Sequence, residues 1–103
     1  MSGENQIVTR LCPTGRGAIF RLKRAVWAII SRLKKEQGLD ADASGDNWRE
    51  FARALVNKLN ELGVSTYPTR IILYYRIENN VFKPVRAKIQ FARAPLEEVE
   101  FSP

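Results

Sequence analysis

The stretch Thr69-Arg70-Ile71-Ile72-Leu73-Tyr74-Tyr75-Arg76-Ile77-Glu78-Asn79-Asn80-Val81-Phe82-Lys83-Pro84-Val85-Arg86-Ala87-Lys88-Ile89 decides the fold. Its first nine residues are rich in β-branched and aromatic side chains, which suit a pleated, half-buried surface. Asn79 and Asn80 supply a turn, and residues 81–92 read as the returning strand. Pro84 has no N–H to give to a ladder and argues for an edge or a bulge there. A two-residue turn would set Leu73 against Arg86 and Ile71 against Lys88. A three-residue turn, Glu78-Asn79-Asn80, instead sets Ile77 against Val81, Leu73 against Val85 and Ile71 against Ala87. A slip of one residue flips every side chain of a strand, so the register that aligns apolar residues is the expected one. It predicts a core face of Ile71, Leu73, Tyr75 and Ile77 with Val85, Ala87, Ile89 and Phe91. The opposite face then holds Arg70, Ile72, Tyr74 and Arg76 beside Phe82, Arg86 and Lys88.

Upstream the period changes from two to that of a helix. Ile19, Leu22, Val26, Ile29, Ile30 and Leu33 predict a helix over residues 18–37, with Lys34 and Lys35 near its end and Gly38 just past it. Residues 39–45 read as an acidic loop. Asn47, with Glu50 three residues on, then reads as the cap of a second helix whose buried stripe is Trp48, Phe51, Leu55, Leu59 and Leu62. Residues 6–11 predict a short strand, residues 12–17 a Pro/Gly loop, and residues 96–101 a last short strand. The expected class is α+β: two main amphipathic helices packed on an antiparallel sheet of about three to five strands.

Length and composition bound the rest. The chain has 103 residues, enough for one domain, 45% hydrophobic and 27% charged. Residues 1–5 read as a flexible N-terminus and residues 95–103 as an acidic C-terminal segment. The net charge is +6, and it is segregated. Residues 1–38 hold eight basic and two acidic side chains, and residues 64–94 hold six and one, whereas residues 39–63 are net −2. Basic surfaces attract polyanions. No apolar run reaches the roughly 20 residues of a membrane span. The polar start lacks a signal peptide's apolar stretch, so a cytoplasmic location is expected. Cys12 is the single cysteine and reads as a buried, idle thiol. Histidine is absent, which removes the commonest general base and metal ligand. Asp40, Asp42 and Asp46 do not make an EF-hand pattern. No enzyme, metal, cofactor or small-molecule substrate is expected.

The basic residues keep aromatic company. At 100° per residue, Lys23, Lys34, Trp27, Phe20 and Arg24 fall on one flank of the first helix, roughly 40–140° from Ile19. A cation beside an aromatic face suits a stacked base with its phosphate. The alternative is that Phe20 and Trp27 widen the core stripe. On the hairpin, the basic and aromatic face reads as a stacking platform, unless a helix covers it too. The two surfaces can merge into one cleft between sheet and helix, apolar inside and basic at the lips. Gly15-Arg16-Gly17 lacks the Lys-Ser/Thr ending of a P-loop and reads first as a connecting loop.

The expectation is sequence-independent binding of single-stranded DNA, with RNA as the second choice of strand. Phe20, Trp27, Tyr74 and Phe82 would stack bases, with Ile72 among them. Arg16, Lys23, Arg24, Lys34, Arg70, Arg76, Arg86 and Lys88 would take phosphates. Trp48 is a core candidate first and a ligand contact second. The competing reading is an RNA-binding, ribosome-associated or protein-interaction module that uses the same basic face.

Three features together resemble the ThermoDBP family of single-stranded-DNA-binding proteins of hyperthermophilic archaea. They are the basic helix with Phe20 and Trp27, the opening Asp46-Asn47-Trp48-Arg49-Glu50-Phe51, and Tyr67-Pro68-Thr69-Arg70-Ile71-Ile72-Leu73-Tyr74-Tyr75 leading into the hairpin. The resemblance spans roughly residues 6–101. It implies helices on an antiparallel sheet, a hydrophobic cleft for bases and basic edges for the backbone. It also implies a leucine-zipper-like C-terminal dimerisation helix. This sequence departs there, with no heptad run up to Pro103, so a homodimer is expected only where such a helix is attached.

Overall fold

Thr14 begins the first helix, three residues earlier than the apolar period indicates. Its backbone is extended, and its Oγ1 accepts the Gly17 N–H at 3.0 Å, satisfying one of the free donors of a helix start. Gly15-Arg16-Gly17 is therefore the first helical turn and not the expected loop. In the computed structural model, which describes residues 4–63 and 66–92, the elements are β1 (Asn5–Val8), α1 (Gly15–Gln37), α2 (Ala41–Leu62), β2 (Thr69–Glu78) and β3 (Val81–Phe91). The strands form one antiparallel sheet in the order β1-β2-β3. The fold is α+β, with two helices packed on a three-stranded sheet, as the sequence indicates. The strand expected over residues 96–101 and the acidic segment 95–103 lie outside the described residues. Asn5 already belongs to β1, although residues 1–5 read as a flexible lead. β1 is shorter than residues 6–11, and the chain rejoins β2 through an isolated bridge from Cys12 to Thr69. Cys12 is buried.

The start of α2 corrects the sequence reading. Asp40, not Asn47, is the cap, and its Oδ1 accepts the Ala43 N–H at 3.1 Å. Residues 41–45 are helix where an acidic loop was expected. Ser44 and Gly45 look like loop residues, but both are buried, and their small size lets neighbours approach. The Ser44 hydroxyl accepts the Phe82 N–H at 2.8 Å, and Asn47 Nδ2 donates to the Phe82 carbonyl at 3.0 Å. Among the described residues no strand pairs with the outer side of β3, and α2 satisfies the backbone groups of Phe82 there.

The hairpin turn also differs from the expected one. Asn79 and Asn80 both have positive φ, 50° and 62°, and Glu78 pairs with Val81. This is the two-residue turn that asparagine favours because it tolerates left-handed backbone. The apolar alignment is recovered farther along. Tyr75 faces Pro84 and Tyr74 faces Arg86, so Val85 is an extra residue in a bulge, where Pro84 indicated an edge or a bulge. Leu73 then meets Ala87 and Ile71 meets Ile89. Before the bulge, Ile77 meets Phe82. Phe82, expected on the open face, is consequently in the core at 0% exposure and stacks on Tyr75 with ring centroids 4.8 Å apart. Val85 and Phe91, expected inside, are exposed.

Asn80 also ties the turn to the helices. Its Nδ2 donates to the carbonyls of Gln37 and Gly38, and its own carbonyl accepts the Asp40 N–H. The core lies between the helices and one sheet face, built from Leu22, Val26, Ile30, Trp48, Leu55 and Leu59 against Ile71, Leu73, Tyr75 and Phe82. Trp48 is a core residue, as expected. The other sheet face carries no described helix.

Candidate nucleic-acid interface

Strand alternation sorts the sheet residues. Ile7 pairs with Leu73 and points into the core, so Gln6 and Val8 lie on the open face, opposite Tyr74 and Ile72. On the far side of β2, Tyr74 pairs with Arg86, Ile72 with Lys88 and Arg70 with Gln90. The open face is thus a row of Arg70, Ile72, Tyr74 and Arg76 between β1 and a basic β3 edge.

Tyr74 is its centre. The Arg86 guanidinium lies 3.9 Å from the Tyr74 ring centroid, and Lys88 Nζ lies 5.6 Å from it. Arg70 is held by two hydrogen bonds to Gln90 Oε1. The Glu4 carboxylate reaches across this face. Glu4 Oε2 is 3.2 Å from Arg76 and Oε1 is 3.0 Å from Arg86. The Glu4 side chain is 19% exposed. Arg76 also reaches Glu78 at 3.9 Å, and its Nε is buried without a hydrogen-bond partner among the described residues. An anion bound between two arginines is therefore already part of this surface, supplied by the chain itself.

The helical residues form a different surface. Arg16, Phe20, Lys23, Arg24 and Lys34 are exposed on α1, and Trp27 is half-buried. Phe20, at 61% exposure, is the most exposed aromatic among them. Trp27 leans on α2. A Cβ placed on Gly45 would stand 2.9 Å from Trp27 Cη2, and the Arg49 guanidinium lies 5.4 Å from the Trp27 ring centroid. Between α1 and α2 runs a groove of about 700 Å³ with Lys23, Trp27, Arg49 and Arg53 along it. Every residue lining it belongs to a helix.

The structure thus separates residues that the sequence reading had joined. The basic strand residues occupy the open sheet face. The basic and aromatic residues of α1 lie on the far side of the helix layer. No single cleft between sheet and helix collects them, because that interface is the hydrophobic core. Phe82 belongs to the core and to neither surface. Glu4, Arg49 and Arg53 are the additions. Arg49 and Arg53 could have been found in the sequence, since a pair four residues apart beside an apolar stripe shares one helix flank.

The described residues include no group of three or more His, Cys, Asp or Glu side chains placed to hold a metal ion, and no helix long and apolar enough to cross a membrane. Comparison of the chain with protein-family models, curated proteins and solved structures returns no match.

Proposed function

We propose that this chain binds single-stranded nucleic acid, DNA in the first instance, without regard to sequence, through the open face of its sheet. The observation that carries this reading is the partly exposed Tyr74 ring flanked by Arg86 and Lys88 at 3.9 and 5.6 Å. Every base offers a π face, so stacking on an aromatic ring or a guanidinium plane is tolerant of sequence. Arg86 has two roles in this arrangement: it lies over the ring before the strand arrives, and it offers a flat cation to a base or a phosphate afterwards. Arg70, Arg76 and Lys88 surround the ring at distances set by the sheet and draw the backbone along β2. Ile72 and Val8 add apolar surface to one side.

Single strands suit such a face better than duplex. Bases paired and stacked within a duplex do not offer their flat faces to Tyr74. The resemblance to the ThermoDBP proteins supports the same ligand, although the surface proposed here is an open sheet face and not an enclosed cleft. The activity proposed is binding without turnover.

The test is a titration of labelled oligo-dT with the full chain, followed by anisotropy, in competition with duplex DNA and with oligo-U. Tight binding to oligo-dT, weak competition by duplex, and a loss of affinity in Tyr74→Ala support the proposal. Equal competition by duplex, with Tyr74→Ala unchanged, rejects it.

A further inference from the structure

The groove between α1 and α2 has the chemistry of the sheet face but is not part of it. The helices run antiparallel. Trp27 meets the Gly45–Arg49 end of α2, Ile19 meets Val56, and Arg16 lies with Asn60. The hollow at Arg16 shares Ile19 and Val56 with the main groove, so one trough runs from Trp27 to Arg16. From Arg16 to Trp27 is eleven steps along α1, about 16 Å at 1.5 Å per residue. Arg16, Lys23 and Trp27 line the trough from α1, and the exposed Phe20 stands on the same helix flank, outside the lining itself. Arg53 stands on the other lip, and no Asp or Glu among the described residues lines the trough. Arg16, Lys23 and Arg53 make no ion pair among the described residues.

We infer that this trough is a second site for single-stranded nucleic acid, so that one domain holds two strand segments on opposite sides and bridges them. The inference rests on the proposed function of the sheet face and extends it from strand binding to strand bridging. Charge complementarity and aromatic spacing name the occupant. A purely acidic peptide would use Lys23 and Arg53 but would have no use for a flat apolar floor. A base with its phosphate uses both. The Trp27 ring is held in place from one side by the bare backbone at Gly45, which saves the ordering cost that a mobile ring would pay on binding. The sheet and the helix layer lie between the two sites. An oligonucleotide too short to pass round the edge of the domain can therefore occupy only one of them, and two such strands can be held at once.

The experiment counts strands per chain by native mass spectrometry with short oligo-dT. It also measures energy transfer between donor- and acceptor-labelled oligo-dT mixed with the protein. Two strands per chain are expected, with transfer that rises on adding protein. The double variant Lys23→Glu with Arg53→Glu, both exposed and both checked for an unchanged melting temperature, is expected to fall to one strand per chain and to lose transfer. Tyr74→Ala is expected to keep the trough strand and lose the other. One strand per chain in the natural protein, or two strands undiminished by the double variant, overturns the trough site while leaving the sheet reading intact. Binding that survives Tyr74→Ala unchanged but vanishes in the double variant overturns the sheet reading instead. Transfer with only one strand per chain means that bridging comes from self-association of the protein, which also overturns the inference.

Discussion

The Arg86 guanidinium lies 3.9 Å from the centroid of the Tyr74 ring, while Glu4 holds the same guanidinium from the other end of the chain at 3.0 Å. The ring therefore carries a cation that is itself only partly neutralised. Contacts of this kind at exposed positions are worth about 0.5–1 kcal/mol, little enough for an incoming base to rearrange.

Tyr74→Ala is expected to leave the melting temperature nearly unchanged, because the ring lies on the open face and outside the core. Stacking is worth about 1–3 kcal/mol per base, so oligo-dT affinity should fall by about 5- to 150-fold. Leu73→Ala, one residue away and fully buried, should do the reverse. It should lose about 2–5 kcal/mol of stability and keep its affinity while folded. Anisotropy titrations beside thermal melts check both, and an unfolded Tyr74→Ala would contradict the assignment of faces.

Glu4→Gln removes the carboxylate that Arg76 and Arg86 share. Strand affinity should rise, most strongly at low salt. A single strand releases about 0.7 counterions per phosphate neutralised. The slope of log affinity against log salt should steepen by up to about 1.4 if both arginines take phosphates. Titrations across a salt series measure this, and an unchanged slope would mean that Arg76 and Arg86 do not meet the backbone.

Ser44→Ala strands the Phe82 N–H in the core. Leaving a buried donor unpaired costs about 1–3 kcal/mol. In a domain of this size the midpoint should drop by about 4–8 °C per kcal/mol. Strand binding below the transition should be unaffected, since neither residue reaches the open face. Differential scanning calorimetry provides the check.

Gly45→Ala brings two opposed effects into one position. Alanine is favoured over glycine in a helix interior by about 1 kcal/mol, but its Cβ would meet Trp27 Cη2 at 2.9 Å, and overpacking costs about 1–3 kcal/mol. The single variant should be neutral to destabilised, with altered Trp27 fluorescence. With Trp27→Ala already present, Gly45→Ala should become stabilising by about 1 kcal/mol. A double-mutant cycle measures that coupling, and additive effects would show that the ring does not rest on Gly45.

How much was legible varies by element. The body of α1, the later turns of α2 and the two long strands stand out because their side chains repeat with the period of the structure they form. The start of α2 does not. Ser44 and Gly45 carry loop chemistry, and only their burial against Phe82 and Trp27 explains why a helix runs through them. The turn departs from its expected length for a related reason. Asn79-Asn80 is a strong local signal for a two-residue turn, yet the apolar alignment argues against it unless the register shifts later. Pro84 marked the place of that shift without revealing its size. The two-residue turn sets Phe82 against Ile77 in the core, and the extra residue, Val85, returns Arg86 and Lys88 to the open face.

By itself the sequence determined the class, two amphipathic helices on an antiparallel sheet, and the basic, aromatic character of the β2 and α1 flanks. Those properties follow from local periodicity and composition, which each segment carries alone. Tertiary structure decided which side chains share a surface. Glu4 reaches Arg76 and Arg86 across separations of 72 and 82 positions, a pairing that no local pattern encodes. It also decided that the sheet and helix surfaces lie on opposite sides of the domain. Each element has one apolar face, and both apolar faces are spent on each other in the core, so the charged faces are left pointing apart.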